Sequence, residues 1–236
     1  MTDLKKLECY KCKKLLAENL VLPKGLCVYC AADEAEQLPE PKKQPKIDKR
    51  EENARVRAEQ ELALRILARK RMLPFVEKFN PDYQAGWVHK DVCRRLEKFS
   101  QDVAEKKSPR LMLFMPPRHG KSTLASIAFP AWHLGRNPQH EFISCSYSGS
   151  LAMSFSRKVR QVLREPNYKS IFEKAKLDKD SQSVESWQTT QGGGYVAAGV
   201  GGGITGKGAH VLLIDDPIKN REDAESENNR EATWDW

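Results

Sequence analysis

The chain has 236 residues, and 40 Lys and Arg against 32 Asp and Glu leave a formal charge of +8 at pH 7. With 39% hydrophobic and 31% charged residues, and no run near the roughly 18 apolar residues of a spanning helix, composition excludes a membranous chain. It favours one principal domain with an appendage, a cytoplasmic setting and an anionic partner, nucleic acid first.

The first segment carries "CYKC" and "CVYC", placing Cys9, Cys12, Cys27 and Cys30 in two CxxC pairs separated by 14 residues. Each CxxC turn offers two thiolates, and zinc takes four such soft ligands in a tetrahedron. Residues 1–32 are therefore expected to form a zinc-ribbon-like four-cysteine module, folded by its structural Zn2+ because so short a piece has little core. The alternative is four reduced, unliganded cysteines. In a reducing compartment the six cysteines of the chain are metal ligands or buried thiols rather than disulfides.

Residues 33–75 read as a charged linker and helix. "EAEQLPEPKKQPKIDK" has three prolines among charges, as an exposed linker does. Strong helix formers follow, predicting a helix from about 48 to 72, stopped by Pro74. Its basic end, "RILARKR", either touches phosphates or is a solvated face.

From about residue 76 the pattern becomes α/β. "GWVHKDVCRRLEKFSQDV" sets Trp87, Val88, Val92, Leu96 and Phe99 at helical spacing. "RLMLFM" reads as a strand and "KSTLASIAFPAWHL" as the helix after it. "EFISCSYS" and "SLAMSFSRKVRQVL" repeat that order, and the glycine-rich "QGGGYVAAGVGGGITGKGA" leads to the apolar strand "HVLLIDDP". Such alternation predicts a parallel sheet covered on both faces.

Two Gly-Lys loops compete for a phosphate. "GGGITGK", with Gly201, Gly206 and Lys207, fits G-x-x-x-x-G-K, but Gly208 stands where a magnesium-binding Ser or Thr belongs. A strand also follows it instead of a helix N-terminus, which would supply free amides and a positive dipole end. "MPPRHGKS" keeps what matters: Gly120 for close backbone approach, Lys121 to reach β/γ-phosphates, Ser122 for magnesium at the helix start. Met115 replaces its leading glycine, and Pro116 and Pro117 set the entry geometry. On the tripeptide alone an ordinary strand–helix turn remains open. "VLLIDD" weighs against it, because a buried strand ending in Asp215 delivers a carboxylate to the magnesium shell, and Asp216 follows to orient or deprotonate water.

In order, "FNPDYQAGWVHKDVCRRLEKFSQDV", "MPPRHGKS", "SYSGSLAMSFSRKVRQVL", "GGGITGKGAHVLLIDDPIKNREDAESE" and "WDW" resemble the ATPase half of the large terminase subunit of tailed bacteriophages. The resemblance runs from about residue 76 to the end and leaves the cysteine-bearing start uncovered. It implies a P-loop NTPase fold with a parallel sheet flanked by helices, and an ATP- and Mg2+-dependent motor that drives double-stranded DNA through a portal into a procapsid. Implied partners are the small terminase subunit, the portal and further copies in a ring, in the cytoplasm of a bacterial host.

Carried over by position, Gly120, Lys121, Ser122 and Thr123 bind phosphate and magnesium, and Asp215 ends the Walker B strand. Asp216 takes the place of the usual catalytic Glu, and Arg118 resembles a γ-phosphate-sensing arginine. Tyr83 and Gln84 resemble the adenine-contacting segment. Lys207 stands near an arginine that acts on a neighbouring subunit's ATP, although lysine lacks the bidentate grip. In the family, "WDW" is followed by more core strands and a ribonuclease-H-like nuclease domain. The ATPase part is therefore expected to be C-terminally incomplete, and the chain to lack nuclease activity. The competing reading is a zinc-ribbon adaptor for DNA or protein, or an inactive prophage remnant, with a degenerate P-loop scaffold.

Overall fold

The computed structural model describes residues 6–8, 12–17 and 48–236, in two compact units, Met1–Ala54 and Arg55–Trp236. In the first, β1 (Lys6–Glu8) and β2 (Leu15–Ala17) form an antiparallel hairpin with Leu7 opposite Leu16. Cys12 is exposed in their connection, next to Lys13 with its left-handed φ of 59°. Cys9, Cys27 and Cys30, and with them the expected zinc set, lie outside the described residues.

Helix α1 (Lys49–Lys70) starts in the first unit and ends in the second. The chain breaks at Arg71 (φ −126°, ψ 134°), and α2 (Met72–Phe79) follows at once. Pro74 accounts for the break one turn earlier than itself. It has no amide for the Lys70 carbonyl and its ring would collide there, whereas the first turn of a new helix tolerates it. Glu97 secures the junction, accepting from the Met72 amide (2.7 Å) and the Arg71 guanidinium (2.9 Å).

Helix α3 (Trp87–Ala104) buries Val92, Cys93, Leu96, Ser100 and Val103. Trp87, expected on that stripe, is instead 81% exposed, because it stands in the first turn where the helix has not yet met the core. Cys93 and Cys145 are buried thiols, as the composition argued.

The five-stranded sheet is mixed, with order β4–β5–β6–β3–β7. It comprises β3 (Glu141–Ser146), β4 (Leu177–Gln182), β5 (Ser186–Thr189), β6 (Gly194–Gly199) and β7 (Val211–Asp215). Strand β3 runs parallel to its neighbours β6 and β7, while β5 and β4 add on antiparallel, so the expected all-parallel sheet holds only for three strands. Strands β4 and β5 precede the segment read as merely glycine-rich, and β6, which pairs antiparallel with β5, arises inside it. There β6 begins at Gly194, and a Cβ on Gly193 would lie 2.4 Å from the carbonyl oxygens of Pro138 and His140. Glycine serves close backbone packing here, not a phosphate.

Helix α4 (Phe129–Arg136), α5 (Gly149–Arg164) and α6 (Pro166–Ile171) enclose the main core with α1–α3. Its centre is aromatic: Trp187, Tyr195 and Phe142 stack at 5.2 and 5.5 Å with their ring planes nearly parallel. Trp132 is fully buried and donates to the Ala68 carbonyl (3.0 Å), tying α4 to the end of α1. Among the described residues the opposite sheet face buries Ile143, Cys145 and Ala198, with partly buried Val196, Ile204 and Trp236. Leu212 and Ile214 are half exposed there. Helices α7 (Arg221–Glu225) and α8 (Glu227–Asp235) complete the chain.

Residues 110–115, expected as the strand before the loop, form no ladder among the described residues. They still alternate as an extended segment does: Leu111, Leu113 and Met115 pack on the core, while Met112 and Phe114 are 81% and 88% exposed. Among the described residues no helix is long and apolar enough to cross a membrane.

Candidate functional site

The segment 111–115 delivers the chain into a turn, residues 117–120, with two left-handed residues, Arg118 (φ 62°) and Gly120 (φ 81°). Glycine accepts that conformation freely, whereas Arg118 is held there at a cost. A helix then opens at Lys121 and Ser122, the Gly120 carbonyl accepting from the Leu124 amide (3.0 Å). Over Thr123–Ala128 it widens to a π-helix, closed by the Phe129 amide on the Leu124 carbonyl. Pro130 lies just beyond and has no amide for the Ser126 carbonyl, so an ordinary α-turn could not close at that point.

Register carries the second half of the site to the first. Ser146 at the end of β3 pairs with Asp215 at the end of β7. Cross-strand neighbours share a face, so both side chains point toward the helix after the loop. Asp215 is 8% exposed, and its Oδ2 accepts from the buried Ser126 hydroxyl (2.7 Å). Lys121 Nζ stands 3.2 Å from Asp215 Oδ1 and bonds Asp216 Oδ1 more closely. Asp216 is exposed and left-handed (φ 49°), and its carbonyl is pinned by the Tyr147 amide (3.1 Å). Partial burial works against the Lys121 charge, but the bond with Asp216 and the nearby Asp215 outweigh it and hold its pKa above the ordinary lysine value.

Upstream, Tyr83 lies against the loop, its hydroxyl 3.5 Å from where a Cβ on Gly120 would sit. That hydroxyl is buried without a hydrogen-bond partner among the described residues, and burial, with Cys93 nearby, pushes its pKa up to about 12, so it remains a donor. His89 packs edge-on to Tyr83 (5.6 Å) and bridges the Gly86 amide to the His119 carbonyl.

The structure thus brings Gly120, Lys121, Asp215, Asp216 and Tyr83 together, with Ser122 and Thr123 half buried at the helix start. Arg118 and Gln84 are exposed beside them in sequence. Lys207 is exposed in a turn closed by its own amide on the Ile204 carbonyl (3.0 Å). Ser126 and His89 were missed in the sequence. Ser126 follows Ser122 by four residues, a spacing that places both on one helix face, and His89 follows Gly86 by three. Asp215 and its register partner Ser146, whose hydroxyl is buried without a hydrogen-bond partner among the described residues, offer oxygens of the kind a divalent cation takes. An open cleft of about 480 Å³ beyond Asp216, lined by Tyr147, Pro217 and Lys219, does not include the loop.

The family model described as terminase large subunit, T4likevirus-type, N-terminal, matches residues 112–236, more than half of the chain. No curated protein gives a match to it.

Proposed function

From the premise that this chain belongs to the T4likevirus-type terminase large subunit family, through its N-terminal part, we propose that residues 76–236 are a P-loop ATPase. They would bind and hydrolyse ATP as the motor module that drives double-stranded DNA into a procapsid. The observation that carries the reading is the meeting of Lys121 with Asp215 and Asp216, across 95 positions, at the mouth of a glycine-turned loop.

Lys121 is held charged and turned toward the carboxylates, and arriving phosphate oxygens would take it over as a stronger, multiply charged partner. Gly120 lets the backbone approach the phosphates, with Ser122 and Thr123 at the helix start behind it. Ser122 and Asp215 would hold magnesium, Ser146 lying within the same oxygen-rich corner. The ion, when bound, neutralises charge on the phosphates. Released from Lys121, the Asp216 carboxylate would orient or deprotonate the attacking water; being one methylene shorter than glutamate, it reaches less far. Arg118 is the candidate for sensing the terminal phosphate, Tyr83 and Gln84 for the adenine, and Lys207 for a neighbouring subunit's nucleotide. Cys9, Cys12, Cys27 and Cys30 remain the proposed zinc ligands. Working partners would be the small terminase subunit, the portal and further copies of the chain.

Calorimetric titration of the full chain with a magnesium–ATP analogue, beside Lys121→Ala, tests the reading. Loss of two charge-assisted bonds of roughly 1.5–3 kcal/mol each weakens binding at least a hundredfold. A folded wild-type chain that does not bind overturns the ATPase reading.

A further inference from the structure

His89 joins two parts of the site that are 30 positions apart. The Gly86 amide donates to its Nδ1 (3.0 Å), which places the ring proton on Nε2, and Nε2 donates to the His119 carbonyl oxygen (3.0 Å). That carbonyl belongs to the His119–Gly120 peptide, which is trans, so the Gly120 N–H points the opposite way. The peptide lies beside one left-handed residue, Gly120 at φ 81°, and one position after another, Arg118 at φ 62°. No ladder fixes its plane, and rotation next to a glycine is easy. The Tyr83 ring against the imidazole keeps the bridge oriented.

We propose that His89 is a positioning residue of the phosphate loop. By drawing the His119 carbonyl toward α3, it turns the Gly120 amide into the loop as a preformed donor for a nucleotide phosphate. It also links the segment that contains Tyr83 and Gln84 mechanically to that donor. The inference rests on the nucleotide reading above and adds to it a residue that acts on the ligand only through the backbone.

Two conservative variants separate this role from simple capping of α3. In His89→Gln the side-chain amide takes the place of Nε2 and still donates to the His119 carbonyl. In His89→Asn the side-chain oxygen takes the place of Nδ1, which keeps the Gly86 bond and loses the loop. Titrated with the same magnesium–ATP analogue, the full-length Gln variant is expected within about threefold of wild type and the Asn variant about five- to tenfold weaker, the effect of one lost hydrogen bond. Melting temperatures of the two variants should agree within a few degrees. In wild-type chain, the nitrogen-15 resonances of His89 should report the Nε2–H tautomer. Wild-type affinity in the Asn variant, a Gln variant as weak as Asn, or an Nδ1–H ring would overturn the inference alone. Absence of binding in folded wild-type chain would overturn the nucleotide reading and this inference with it.

Discussion

Lys121 is 23% exposed, and in the free chain its ammonium faces two carboxylates instead of solvent. In the proposed ATPase the arrangement that shields it would open when phosphate enters, so the three residues would act as a unit. Asp216→Asn should leave nucleotide affinity within about threefold, or tighten it by freeing Lys121, while single-turnover hydrolysis falls at least a hundredfold from loss of the base. Equal losses of binding and turnover would assign Asp216 to nucleotide binding instead. Ser126 acts differently, since its hydroxyl supports a carboxylate that is 8% exposed. Ser126→Ala leaves that carboxylate short of a donor and should cost about 1–3 kcal/mol, read from the urea midpoint. At this scale Lys121, Asp215 and Asp216 were legible because their types and flanks imply charge chemistry. Ser126 and His89 were not, because a serine within an apolar helix and a histidine near a helix start have many uses.

Among the elements, glycine shows how one residue type serves unlike ends. Gly120 supplies a left-handed turn before a helix, whereas Gly193 permits the start of β6 to press on the carbonyls of Pro138 and His140. A Cβ at Gly203 would meet nothing within 4 Å. Gly193→Ala should therefore destabilise by at least about 2 kcal/mol and Gly203→Ala by no more than about 0.5, compared by urea denaturation. Equal effects would mean that the glycine-rich run is one flexible loop. Helix positions were readable from period and from Pro74, but the π-turn that Pro130 imposes within the helix read through it was not. The run 110–115 had a strand's composition and alternation but forms no ladder, because pairing depends on a neighbour and not on the segment itself.

Across the whole second unit, acid sensitivity should follow from a buried histidine chain. His133 is fully buried, bonded to the Ser100 hydroxyl (2.8 Å) and to His140 Nδ1 (3.1 Å), and His140 stacks on His210 at 4.3 Å. Burial first, then the neighbouring His140, Arg136 and His210, lower the His133 pKa to about 3, and burial with His210 lowers that of His140. An unfolded histidine takes up a proton near pH 6.5, whereas native His133 does so only near 3. The unfolded state therefore binds more protons in that window, and stability falls as pH falls through it. The loss reaches about 1.4 kcal/mol per pH unit for each such group. Urea midpoints between pH 7 and 4.5, above the range of ordinary carboxylates, check this: a steady decline is expected, flattened in His133→Gln. A flat wild-type profile would mean that the native pocket accepts the proton.

What the linear order of residues determined by itself was the alternation of helix and strand, a Gly-Lys-Ser turn opening a helix, and an apolar strand ending in two aspartates. These depend on local spacing and on side-chain chemistry, which any segment carries with it. The tertiary structure decided the mixed sheet order, the course of residues 110–115 outside any ladder of the described residues, the exposure of Trp87 and the contacts of Ser126 and His89. Each of these depends on which backbone or side chain stands opposite. That pairing is set when helices and strands far apart in the chain bury a common core, a long-range choice for which no single segment holds the partner.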